Sequence, residues 1–128
     1  MTPETNEPTA AEWKVLAAVR ARGPMATRDV IEALAAEEWS DSTVKTLLRR
    51  LVEKDALKAK RVGNSFLYSV TRAHWTALRR AGDTLLERAG EAATGPLLAH
   101  LVKRSRLSAD ELDELRALID EKSEEERS

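Results

Sequence analysis

WSDSTVKTLLRRLVEKD, residues 39–55, carries two patterns on one helical period. Val44, Leu47, Leu48, Leu51 and Val52 fall at i, i+3, i+4, i+7 and i+8, which makes one apolar stripe. Ser42, Lys45, Thr46, Arg49 and Arg50 fall on the other side. Ser40 is placed to cap the helix, because its hydroxyl can accept from a free N–H of the first turn. Trp39 and Val44 then have the spacing of a hydrophobic staple. The helix is therefore fixed at its start and glued along one face, with short hydroxyls and cations on the other. A helix entering a DNA major groove needs that second face: small polar groups for base edges and Arg and Lys for phosphates.

The segments on either side extend the same reading. Residues 1–8, rich in Pro and Glu, are expected to be disordered. A first helix should follow the capping box Thr9-Ala10-Ala11-Glu12. Trp13, Leu16, Ala17 and Arg20 mark one side of it, widened by Val15 and Val19, and Gly23-Pro24 ends it. Met25-Ala26 reads as a short extended link. A second helix should open with Thr27 as N-cap, bury Val30, Ile31 and Leu34, and end near Glu37 or Glu38. The short gap before the next helix is that of a helix-turn-helix.

After residue 55 the period changes from helix to strand. Residues 56–62 alternate, with Leu57, Ala59 and Arg61 on one side and Lys58, Lys60 and Val62 on the other. Gly63-Asn64-Ser65 is a turn signal, and Phe66 to Val70 alternates again, so a β-hairpin is expected. Three helices and a basic hairpin make a winged helix. Lys58, Lys60 and Arg61 are candidates for phosphate contact, and Asn64 for the minor groove.

From Thr71 the pattern is helical again. Trp75, Leu78, Gly82, Leu85 and Ala89 form a narrow seam, and Gly90 reads as a stop. Pro96 suits the first turn of a fifth helix, which carries Leu97, Leu98, Leu101 and Val102. A sixth begins at the capping box Ser108 to Glu111, with Leu107 and Leu112 as staple, and buries Leu112, Leu115, Leu118 and Ile119. Residues 121–128 read as an acidic, solvated tail. So short a stretch closes a core poorly on its own. The seams at Trp75, Leu78, Leu85, Leu97, Leu98, Leu101, Leu112, Leu115 and Ile119 are therefore assigned to a twofold homodimer.

The expected architecture is mainly α with a small β-hairpin: a winged helix-turn-helix followed by a three-helix dimerisation domain. Its divisions are 1–8, 9–72, 73–122 and a tail at 123–128. Charge supports this division. The 128 residues carry a net charge of only −1, but residues 40–72 hold 8 Lys+Arg against 3 Asp+Glu, a block of +5 between flanks of −3 each.

Several function classes drop out. With no cysteine there is no disulfide, thiolate nucleophile or cysteine zinc site. No apolar run approaches the ~18 residues of a membrane helix. The polar, acidic N-terminus does not read as a signal peptide, so a cytoplasmic protein without membrane insertion is expected. His74 and His100 lack acidic or histidine partners at ligand spacing, so neither a metal nor a cofactor is expected. Asp110, Glu111, Asp113 and Glu114 suit the first turns of a capped helix better than acid–base catalysis. No nucleophile elbow or phosphate loop is present, and the chain does not read as an enzyme. Trp13, Trp39 and Trp75 fit packing rather than base stacking.

TAAEWKVLAAV, TRDVIEAL, WSDSTVKTLLRRLVEKDAL, GNSFLYSV and LSADELDEL together resemble the penicillinase-repressor family of bacterial transcription regulators. The resemblance implies a dimeric repressor on an inverted-repeat operator in double-stranded DNA. It puts Ser42, Thr43, Lys45 and Thr46 at the DNA-contacting positions, with Arg50 toward the backbone and Arg61 and Asn64 in the wing. It also implies a membrane sensor-peptidase as inducer, with release by cleavage at an Asn-Phe bond. Here the corresponding TLLERAGEAATG has no such pair, and the cysteines of copper-responsive relatives are missing. Two other readings remain: a winged-helix module that binds protein and not DNA, and a repressor that senses a small ligand.

Overall fold

The structure is a computed structural model and describes residues 7–127. The expectation of disorder at residues 1–6 lies outside the described residues. The chain divides into two compact units, one running to Asp83 and one from Thr84. The division falls within a helix, eleven residues beyond the boundary expected at 72/73.

The first unit opens with α1 (Ala10–Arg22). Thr9 and Glu12 form the expected capping box, and Gly23, at φ 76, closes the helix with its N–H on the Val19 carbonyl. Val15, Leu16 and Val19 are buried, whereas Ala17 is exposed. Met25–Ala26 is strand β1, not merely a link. Next comes α2 (Thr27–Ala33), where Thr27 is the first helical residue and Ala26 holds the cap position without a side-chain bond. The expected Thr27 cap is thus replaced: β1 pairs through Ala26 up to the helix start, so the boundary lies one residue earlier. α2 also ends at Ala33, before the expected Glu37, and a 3₁₀ turn (Ala35–Glu37) completes the run.

α3 (Asp41–Glu53) is the central helix, capped by the Ser40 hydroxyl, which accepts from the Thr43 N–H. Val44, Leu47, Leu48 and Leu51 are buried with Val15, Leu16, Val19, Val30 and Leu57 in one core, and Trp13, Ile31, Trp39 and Tyr68 pack partly buried against it. Asp55, left-handed at φ 63, turns the chain into β2 (Leu57–Val62). A two-residue turn leads to β3 (Ser65–Val70). Gly63 has φ 63 there, a left-handed conformation that glycine adopts at no steric cost. The sheet order is β1-β3-β2, all antiparallel, and β1 pairs Met25 with Tyr68 and Ala26 with Leu67.

α4 (Arg72–Ala89) begins in this unit. Thr71 caps it: its hydroxyl accepts from the His74 N–H and donates to the Asp55 and Ala56 carbonyls.

In the second unit, Gly90, at φ 78, separates α4 from α5 (Glu91–Arg104). This helix starts five residues before Pro96, which therefore lies inside it and not in its first turn. The cost is one rung, since proline offers no N–H. The Thr94 hydroxyl donates to the Gly90 carbonyl at that end. The Ser108–Glu111 capping box is formed, with bonds of 3.0 and 3.1 Å, and opens α6 (Ala109–Arg127). Residues 121–127 continue that helix on exposed turns. Among the described residues from 84 onward, none is fully buried.

Candidate nucleic-acid interface

The apolar stripe of α3 is spent on the core, so its other face turns outward. Ser42, Thr43, Lys45, Arg49 and Arg50 are exposed, and Thr46 is half-buried. The first turn is a hydroxyl cluster. Ser40 Oγ lies 3.1 Å from Ser42 Oγ and 2.9 Å from Thr43 Oγ1, and it also accepts from the Thr43 N–H at 3.2 Å. Thr43 is thus tied to the cap, while Lys45 and Thr46 lie one turn further along. Arg49 stands 3.9 Å from Glu53, with both side chains about two-thirds exposed. An exposed pair of this kind contributes little and yields readily to a phosphate.

The hairpin supplies the second set of cations, and strand register sorts them. Lys58 pairs with Ser69 and Lys60 with Leu67, on the face away from the core. Arg61 pairs with Phe66 on the opposite face, the one that carries buried Leu57. Its Nε donates to the Gly63 carbonyl at 3.2 Å, which holds the guanidinium at the turn beside exposed Asn64. The three basic wing residues therefore form two groups and not one row. Phe66 and Val62 flank the same turn, both about half exposed.

One cation counted in the basic block is not on this surface. Lys54, the C-cap of α3, donates from Nζ to Glu12 Oε1 at 2.7 Å. Glu12 is fully buried. Burial opposes its ionisation, but the Lys54 ammonium and the Thr9 N–H and hydroxyl outweigh that effect, so its carboxyl titrates below the usual range. Glu12 was expected only as a capping residue. The ion pair had no local signal, because its partner is 42 residues away.

His74, for which no role was expected, is also buried, at 1% exposure. Its Nε2 lies 2.6 Å from Arg20 Nη1, and its ring sits between Trp13 and Trp75, with centroids 5.6 and 6.1 Å away. Burial, and secondarily the Arg20 charge, push its pKa below the ordinary value. The Arg20 guanidinium also lies 5.9 Å over the Trp75 ring.

None of the residues expected to pair two copies is fully buried. Trp75, Leu85, Leu98, Leu101 and Ile119 are between 41% and 61% exposed. Leu78, Leu97, Leu112 and Leu115 are half-buried. No helix among the described residues is long and apolar enough to cross a membrane.

Comparison with known proteins bears on the winged helix just described. The penicillinase repressor family model matches residues 8–121. The chain belongs to the penicillinase repressor family. It is 36% identical over 124 residues to an uncharacterised 16.5 kDa protein of Latilactobacillus sakei, covering 96% of this chain and 85% of that one. It is 25% identical over 112 residues to the penicillinase repressor of Bacillus licheniformis, covering 87% and 88%. Among solved structures, MarR of E. coli in its apo form superposes with a TM-score of 0.51 at 22% identity, covering 88% of this chain and 76% of that one, a likeness of fold.

Proposed function

We propose that this chain is a transcriptional repressor that binds a DNA dyad as a homodimer. In this reading α3 enters the major groove and the β2–β3 hairpin is the wing. The observation that carries it is the outward face of α3. Ser42, Lys45, Thr46, Arg49 and Arg50 stand there on a helix whose other side is locked in the core. Thr43 holds the first turn, Ser42, Lys45 and Thr46 read base edges, and Arg49, Arg50, Lys58 and Lys60 meet phosphates. Arg61 and Asn64, held at the turn, meet the minor groove.

The homodimer is supported by a simple deficit. From residue 84 onward nothing described is fully buried, although Leu85, Leu98, Leu101 and Ile119 are large and apolar. Helices with that much open apolar surface are completed by a second copy. Two linked winged helices then require half-sites about one DNA turn apart, or a multiple of it. Family membership extends the proposal to a sensor-peptidase as inducer, acting on the second unit. Cleavage at an Asn-Phe bond is not part of it, since the only phenylalanine, Phe66, follows Ser65.

A mobility-shift titration with DNA upstream of the gene tests the reading. A retarded complex that survives competitor DNA only when the dyad is present supports it. Equal competition by every fragment would reduce α3 to a general basic surface.

A further inference from the structure

The chain has three Trp, one Tyr and one Phe, and four of these five rings have a place in the fold. Trp13, Trp39 and Tyr68 pack on the core, and Trp75 has His74 and Arg20 against its ring. Phe66 has neither. It is 45% exposed, stands outside the core cluster, and meets no other ring and no cation face-on among the described residues. The contacts proposed for the wing do not use it either.

Strand register explains why this ring is left open. Leu57 faces Val70, Ala59 faces Tyr68 and Arg61 faces Phe66, so these six residues share one face of the hairpin. Burial falls along that face. Leu57 is buried, Tyr68 and Val70 are half-buried against the core, and Arg61 and Phe66 are exposed at the tip. The Arg61 guanidinium could have covered the ring as a cation over its face. Instead its Nε donates to the Gly63 carbonyl at 3.2 Å, which keeps the charge at the turn. Ring and cation therefore stand side by side, next to exposed Asn64. Val62, 50% exposed on the other face, widens the apolar edge.

Charge indicates what this edge meets. Residues 56–70 contain Lys58, Lys60 and Arg61 and no Asp or Glu. Cations without a single acid suit a polyanion. An apolar side chain carried into the minor groove by such an element enters between base steps and partly unstacks them.

We propose that Phe66 is a specificity-determining residue whose ring wedges against one base step in the minor groove, beside Arg61 and Asn64. The inference rests on the DNA-binding reading above. The wedge carries no hydrogen-bond code. It reads the cost of opening a step, which is lowest at pyrimidine–purine steps such as TA and highest in stiff A-tracts. Phe66 thus gives sequence preference where no base edge is touched.

The test titrates the full chain, Phe66→Ala and Phe66→Leu with the upstream dyad, substituted with 2-aminopurine at each adenine in and beside the half-sites. This base brightens when it is unstacked. The wild-type chain should brighten one step in each half-site. Replacing that step with AA should weaken its binding about tenfold, the size of one mismatched position. Phe66→Ala should abolish the brightening and bring the TA-to-AA affinity ratio close to one. Its salt slope and helical spectrum should match the wild type, since no charge and no core contact is lost. Phe66→Leu, still an apolar wedge, should keep part of both effects. Wild-type binding without a brightened step, or brightening that persists in Phe66→Ala, would overturn the inference and leave the repressor reading intact. A wild-type chain that binds no DNA would overturn both.

Discussion

At the scale of single residues, two buried polar groups govern the pH response. His74 has a folded pKa below its unfolded value of about 6.5. The unfolded chain therefore takes up the proton first, and stability rises with pH across that window. The His74 contribution is complete above about pH 6.5 and is lost as pH falls from there through the folded pKa. Protonation would place a second cation against Arg20. Chemical denaturation between pH 5 and 7.5 should show the midpoint falling with acid, and His74→Gln should remove most of that slope above pH 5. An unaltered slope in the variant would assign it to other groups. Glu12 acts with the same sign at lower pH: its depressed pKa contributes stability that is present above about pH 4.5 and lost below it. Glu12→Gln leaves Lys54 without its charge partner but still reached by water, and should cost about 1–3 kcal/mol, that of a lost charge-assisted hydrogen bond. Neither group announced its role in the sequence. Glu12 was legible as the N3 member of a capping box, because that depends on residues three apart. Its pairing with Lys54, and that of His74 with Arg20, depend on tertiary packing 42 and 54 residues apart.

At the scale of elements, the strong periodic signals survived and the boundaries moved. α3 was legible because cap, staple and stripe agree within 14 residues. The hairpin was legible from its alternation around Gly63-Asn64. Met25–Ala26 was not, since two residues have no period, and only their pairing with β3 makes them a strand. Pro96 misled for a different reason: proline is favoured in first turns but only disfavoured inside helices. The sequence also grouped Lys58, Lys60 and Arg61, whereas register places Arg61 on the other face. That division predicts different variant behaviour. Lys58→Ala should weaken binding to all sequences and lower the salt slope by about 1. Lys45→Ala should narrow the gap between dyad and random DNA by about 1–3 kcal/mol. Competition binding at two salt concentrations separates the two effects. Equal losses on both kinds of DNA for Lys45→Ala would move that residue to the phosphate set. Ser40→Ala should cost about 1 kcal/mol of stability through loss of the cap, read from the thermal midpoint.

For the whole molecule, the winged-helix unit holds the buried core while the second unit leaves its large apolar side chains open. Ile119, 61% exposed, and Leu98, 49% exposed, can take a charge without disturbing a single chain. Leu98→Glu with Ile119→Glu should therefore yield a folded monomer, seen by analytical ultracentrifugation with an unchanged helical spectrum. A double variant that stays dimeric would place the interface elsewhere. The monomer should also lose most of its affinity for a full dyad, because two linked half-sites raise each other's effective concentration. The central claim is that the outward face of α3, doubled by a partner, reads DNA. It is tested most directly by titrating the full chain against its own upstream dyad over a range of salt concentrations. The expected result is one dimer per dyad, with log K falling linearly in log salt and with tighter binding than to scrambled DNA at every concentration. Absence of binding at low salt to any upstream fragment would contradict it.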